Sequence, residues 1–192
     1  MKIIRFVARG DGAMEAVVCS DTARANRGEV YFISQADKHV VMPCIYFRIR
    51  QNTRTLGNGG WFHLVDGYGY ALHLENESCR AAGRETARIY SADRTIIASP
   101  LARMEEALVE EEVAKLPARL IRIVVEDNVM TCQPPSVAFV AQCMHNLRNW
   151  LTLNAGDWVV FPLSETPQLL CLPTRVYLYE SERLVLDELL RS

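Results

Sequence analysis

The stretch Trp61-Phe62-His63-Leu64-Val65-Asp66-Gly67-Tyr68-Gly69-Tyr70-Ala71-Leu72-His73-Leu74 constrains the fold more than any other part of the chain. It is rich in aromatic and branched apolar residues, and Asp66-Gly67 at its centre is the commonest two-residue hairpin signal. It therefore reads as two short antiparallel strands. Such a loop pairs Val65 with Tyr68, His63 with Tyr70 and Trp61 with Leu72. Cross-strand partners share a face, so one face carries Trp61, His63, Val65, Tyr68, Tyr70 and Leu72. The other carries Phe62 and Leu64 opposite the small Gly69 and Ala71, which leave room for a second layer. That face is assigned to the core. Trp61, His63, Tyr68 and Tyr70 have apolar bodies with polar tips, which suits an interface. The alternative is that the rest of the domain covers both faces, since aromatic side chains are first of all core material.

With 192 residues the chain has the size of one generous domain. At 49% hydrophobic it can fill a core, and at a net charge of −2 it has no global attraction to nucleic acid or to an acidic membrane surface. No run of about 18 apolar residues spans a membrane, and Lys2 and Arg5 interrupt the apolar start that a signal peptide needs. The expected location is cytoplasmic, or a virion. The six cysteines are scattered, with no C-x-x-C and no histidine pair at ligand spacing. No metal site and no cofactor is therefore expected, and no disulfide framework.

Ile3 to Val7, Met14 to Cys19, Glu29 to Ser34 and Val40 to Arg50 read as strands. Thr86 to Tyr90 and Thr95 to Ala98 read as a further hairpin. The second half changes character. Ser99-Pro100 opens a helix over Leu101 to Leu116, and Pro134-Pro135-Ser136 opens the strongest helix, Val137 to Leu153, with Val140, Met144 and Leu147 on one face. Strands follow at Arg119 to Glu126, Val129 to Cys132, Asp157 to Phe161, Gln168 to Leu172 and Arg175 to Tyr179, and Glu182 to Leu190 closes as a short helix. The fold class is α+β: a β-rich antiparallel first half of hairpins, two main helices and a short C-terminal strand pair. One domain over residues 1–192 is expected, with a subdivision near 98–100 as the alternative.

Chemical motifs are sparse. Gly57-Asn58-Gly59-Gly60 lacks the G-K-[ST] ending of a phosphate loop and leads into a strand, not a helix. Arg48 and Arg50 share a strand face beside it and, with Arg54, form a candidate anion-binding patch. Arginines next to Trp61, His63, Tyr68 and Tyr70 could also stack single-stranded nucleic acid, which the overall charge disfavours. There is no G-x-S-x-G and no H-E-x-x-H. Cys143 and His145 are two apart on a helix and face different ways. No catalytic residue is assigned.

The run Ala155-Gly156-Asp157-Trp158-Val159-Val160, followed by Cys171-Leu172-Pro173 and Tyr179-Glu180, resembles a module that closes small proteins of tailed bacteriophages. The segment Cys19 to Glu29 resembles a connector of phage tail components. The C-terminal resemblance covers under 30 residues, and neither carries a catalytic motif. Together these features favour a non-enzymatic protein–protein module, structural or accessory, in a phage or mobile-element assembly, with a protein partner or a second copy and no membrane. The alternative is a small-anion or nucleotide binder, possibly an enzyme, using Arg48, Arg50 and Arg54.

Overall fold

The computed structural model describes residues 1–8, 14–25, 38–52, 60–81, 94–147, 149 and 151–191. Among the described residues, twelve strands make two sheets. They are β1 (Lys2–Ala8), β2 (Met14–Ser20), β3 (His39–Ile49), β4 (Val65–Asn76), β5 (Ile96–Ala98), β6 (Ala102–Arg103), β7 (Ile121–Val125), β8 (Asn128–Cys132), β9 (Trp158–Pro162), β10 (Gln168–Leu170), β11 (Thr174–Glu180) and β12 (Arg183–Leu190). The α-helices among the described residues are α1 (Glu77–Ala81), α2 (Val109–Lys115) and α3 (Val137–Leu147). This is the expected α+β class with two main helices. Residues 29–34 and 86–90, expected as strands, lie outside the described residues, as do Arg54 and Gly57 to Gly59.

The large sheet runs β2-β1-β9-β3-β4-β5, with β10 beside β3 and β6 beside β4. Its pairs are antiparallel except β1 with β9. The second sheet runs β12-β11-β7-β8, all antiparallel. A single core lies between them. Ile45, Phe47, Tyr70 and Leu72 from the large sheet meet Ile123, Val176, Leu178 and Leu186 from the small one. The period-2 pattern of β11, with Thr174, Val176, Leu178 and Glu180 buried, is what one covered face demands. A second apolar cluster, including Ile3, Met42, Cys44, Tyr46, Ala71, Trp158 and Val160, covers the opposite face of the large sheet.

The hairpin expected at Asp66-Gly67 does not form. Trp61–Leu64 is a turn of 3-10 helix entered through Gly60 at φ 77°, and β4 then runs unbroken to Asn76. A two-residue hairpin loop needs left-handed backbone, and among the described residues only Gly60 and Gly156 are glycines that adopt it. Gly67 instead pairs with Arg48 on one side and Arg103 on the other. The long β3–β4 ladder, from His39↔Asn76 to Ile49↔Val65, outweighs a local turn. Pro43 is tolerated inside β3 because it falls between the end of β9 and the start of β10, and its carbonyl accepts from the Leu163 amide at 2.8 Å.

Two helical expectations also change. Leu101 to Leu116 is not one helix: Ala102–Arg103 joins β4, and only Val109–Lys115 is α-helical. Residues 182–190 form β12, not a helix, because β11 offers an open edge and Leu186 and Leu190 fall on its buried side. Helix α3 ends at Leu147, with Val140, Cys143, Met144 and Leu147 buried and His145 exposed. The Ser136 hydroxyl caps it by accepting from the Phe139 amide at 3.2 Å. No helix among the described residues is long and apolar enough to cross a membrane.

Candidate functional site

Alternation along β4 sends Tyr68, Tyr70, Leu72 and Leu74 into the core between the sheets. Gly69, Ala71, His73 and Glu75 point to the opposite face. The register places Arg5, Val160, Tyr46 and Gly69 in one row across β1, β9, β3 and β4. Gly69 is required there by its neighbour, since a Cβ would come within 2.5 Å of the Tyr46 ring. Tyr46 stacks on Trp158 with centroids 4.3 Å apart, and the guanidinium of the exposed Arg24 lies 4.8 Å from the Trp158 centroid.

On this face, in the interior of the sheet, sits an ion cluster. Arg5 is 1% exposed, Glu75 1% and His73 0%. Nη2 of Arg5 donates to Oε1 of Glu75, and Nδ1 of His73 lies 3.5 Å from the same oxygen. Burial pushes the Glu75 carboxyl up, but the Arg5 charge and the adjoining His73 imidazole outweigh it and hold Glu75 at about 2. The carboxylate is therefore ionised throughout the neutral range. Cys44, on the same face, is driven by burial up to about 11 despite Arg5 nearby. Burial likewise raises Cys143 to about 11 and Cys132 to about 12. These thiols stay protonated and are poor nucleophiles.

A second polar network lies on the core side. Glu180 accepts from the Tyr70 hydroxyl at 2.9 Å and from that of Tyr68 at 3.2 Å, and it pairs with Arg119 and Arg183. Burial raises its carboxyl, and the arginines and Tyr70 reverse the direction. Beside it a cavity of about 230 Å³ is lined by Tyr68, Tyr70, Ser99, Leu101, Arg183 and Val185. The cavity and the ion cluster are on opposite faces of β4. The cluster is the stronger candidate, because Glu180 is already saturated by two guanidinium groups and two hydroxyls, and the rest of the cavity wall is largely apolar.

The residues singled out from sequence fall elsewhere. Trp61, Tyr68 and Tyr70 are 3%, 5% and 1% exposed, and only His63 reaches solvent, so the exposed aromatic face is not formed. Arg48 is held by Asp66 through two hydrogen bonds at 2.9 and 2.5 Å, and Arg50 pairs with Glu106 at 2.7 Å. Arg54 lies outside the described residues. Arg5, His73, Glu75 and Arg24 were missed. The legible signal was a charged residue inside the apolar run Ile3-Ile4-Arg5-Phe6-Val7, together with a histidine and a glutamate two apart in a strand and so on one face.

No protein-family model matches this chain, and no curated protein matches it. Solved structures do. The chain resembles fumarylpyruvate hydrolase from Pseudomonas aeruginosa, solved with Mn2+ and pyruvate, at a TM-score of 0.76 and 16% identity, covering 100% of this chain and 90% of the other. It resembles a yeast fumarylacetoacetate hydrolase family protein at a TM-score of 0.73 and 11% identity, covering 97% and 90%. Likeness over nearly the full length of hydrolase-family proteins overturns the reading as a non-enzymatic module of a phage or mobile-element assembly. The small-anion alternative accords with it better, and the chain has the fold shared by these fumarylpyruvate and fumarylacetoacetate hydrolase proteins.

Proposed function

We propose that this chain is an enzyme acting on a small carboxylate-bearing substrate, with its chemistry on the face that holds Arg5, His73 and Glu75. The observation that carries the reading is the buried ion cluster itself. Packing alone calls for apolar side chains in the interior of a sheet, and desolvating two charges costs several kcal/mol per ion before any attraction is counted. A carboxyl so strongly perturbed, held with a guanidinium and an imidazole at such a position, marks a candidate working site. The fold shared with hydrolases supports the class of reaction.

The residues divide the work by their chemistry. Glu75 is ionised and lies beside Nδ1 of His73, where its charge can orient the imidazole and offset the charge His73 takes up in proton transfer. Arg5 supplies a fixed positive charge beside the position where negative charge would develop on a carbonyl oxygen. Arg24 has no carboxylate partner among the described residues and lies over Trp158 on the same face, where it can hold the substrate's carboxylate. The cluster is shielded from solvent, so binding requires this face to open.

A neighbour's Mn2+ raises the question of a metal here. The donor set does not fit one. Among the described residues no group of three or more His, Cys, Asp or Glu side chains could hold a metal ion. The buried carboxylate on this face, Glu75, is paired with a guanidinium.

Thermal-shift titration with pyruvate and fumarate, and an assay of fumarylpyruvate hydrolysis, test the reading. A ligand at 100-fold its Kd should stabilise by about 2.7 kcal/mol. His73→Asn should keep the fold and lose turnover by at least 100-fold. The reading is wrong if none of these carboxylates shifts the melting temperature and no hydrolysis is seen.

A further inference from the structure

We propose that Arg5 takes the place of a divalent cation on this face, so that the chain binds its carboxylate ligand without a metal. The inference rests on the reading of the face as a small-carboxylate site. It starts from where Arg5 sits. Its neighbours Ile4 and Phe6 are 0% and 3% exposed in the core, and the sequence places a guanidinium between them at a position that a branched apolar residue would fill more cheaply. The side chain then reaches from β1 over β9 and β3 to Glu75 on β4, so the contact is selected by the fold and not by sequence proximity.

Its partners are the groups a metal would want. A carboxylate and an imidazole two residues apart on one strand face form a natural pair of hard and borderline ligands. Here both are turned to one point, Oε1 of Glu75, and that point is taken by Nη2 of Arg5. A guanidinium stays protonated at any working pH, so its charge cannot be withdrawn to admit a second cation. Cys44, on the same face, is kept as a thiol by burial, whereas metal ligation needs the thiolate. Arg5 thus provides a permanent positive charge in a water-poor setting, which is the electrostatic part of what a divalent ion offers an anionic ligand. It offers no exchangeable coordination position.

The test compares EDTA-treated wild type with the same protein in millimolar MnCl2 or MgCl2, read by melting temperature and by the electron paramagnetic resonance signal of free Mn2+. Wild type should show no metal-dependent shift and no loss of free-Mn2+ signal. Any pyruvate-induced shift should be the same with EDTA and with Mn2+. Arg5→Ala should gain a Mn2+-dependent rise of about 3–5 °C at tenfold the Kd, and Arg5→Lys, which keeps the charge, should not. Mn2+ binding to wild type, a pyruvate shift that needs Mn2+, or a folded Arg5→Ala protein that gains nothing would each overturn the proposal. If Arg5→Ala does not fold, wild type and Arg5→Lys still decide it. Absence of any pyruvate shift under all conditions counts against the carboxylate reading alone, because the Mn2+ arms read Arg5 independently.

Discussion

Glu75 shows how one residue ties stability to chemistry. Its folded pKa of about 2 lies below the ordinary 4.5. A depressed carboxyl stabilises the fold above the unfolded pKa, and that contribution is lost as pH falls through the folded one. The window is therefore about pH 4.5 down to about 2, and the size is about 3 kcal/mol. Denaturant midpoints measured from neutral pH into this window should fall for wild type, and fall less for Glu75→Gln. That variant should also be about 3–5 kcal/mol less stable at pH 7, because Arg5 loses its buried counter-charge. Equal acid slopes for the two proteins would remove Glu75 from the account. The contrast with Arg48 and Asp66 is instructive: their side chains are 29% and 27% exposed, so Asp66→Ala should cost no more than about 1 kcal/mol. From sequence, Arg48 looked like the functional arginine and Arg5 like an interruption in a leader. Residue type could not separate them, because the difference is which one finds a carboxylate away from water.

Strand β4 carries the lesson at the level of elements. Its alternation was legible: Tyr68, Tyr70 and Leu72 share one face, and Gly69 and Ala71 the other. Its continuity was not. Asp66-Gly67 has the composition of a turn, but turn preference is a local term and the ladder to β3 is a long one. Gly69 then has a packing reason rather than a turning one. Gly69→Ala should destabilise by about 1–3 kcal/mol, since the added methyl meets the Tyr46 ring and the Tyr46–Trp158 stack resists displacement. Urea midpoints would check this, and an unchanged midpoint would mean the stack yields freely. The closing strand β12 gives the same message. Leu186→Ala should cost about 2–5 kcal/mol and Leu184→Ala, at 46% exposed, under about 0.5. A helix over the same residues would not put Leu186, Glu188 and Leu190 on one buried side, and that alternation is what distinguishes β12.

For the whole molecule, the two sheets share one core cluster, with Tyr70 and Leu72 of one against Leu178 and Val176 of the other. The link is also polar, through Tyr70, Tyr68 and Arg119 to Glu180. Urea unfolding followed by tryptophan fluorescence and by far-ultraviolet circular dichroism should therefore give coincident transitions. Of the tryptophans among the described residues, Trp61 lies in the turn before β4 and Trp158 in β9, both outside the small sheet, so separate unfolding of that sheet would split the two probes. What the sequence by itself determined was the α+β class, most strand segments, the cap and buried stripe of α3, and the absence of familiar catalytic signatures. These follow from periodicity and local propensity, which each segment carries within itself. The tertiary structure decided the rest. It made β4 continuous, turned Arg183–Leu190 into the strand β12, and brought Arg5 to Glu75 across 70 positions of chain. A buried ion cluster assembled from strands distant in sequence has no local signature, because its energy comes from the shared removal of those groups from water.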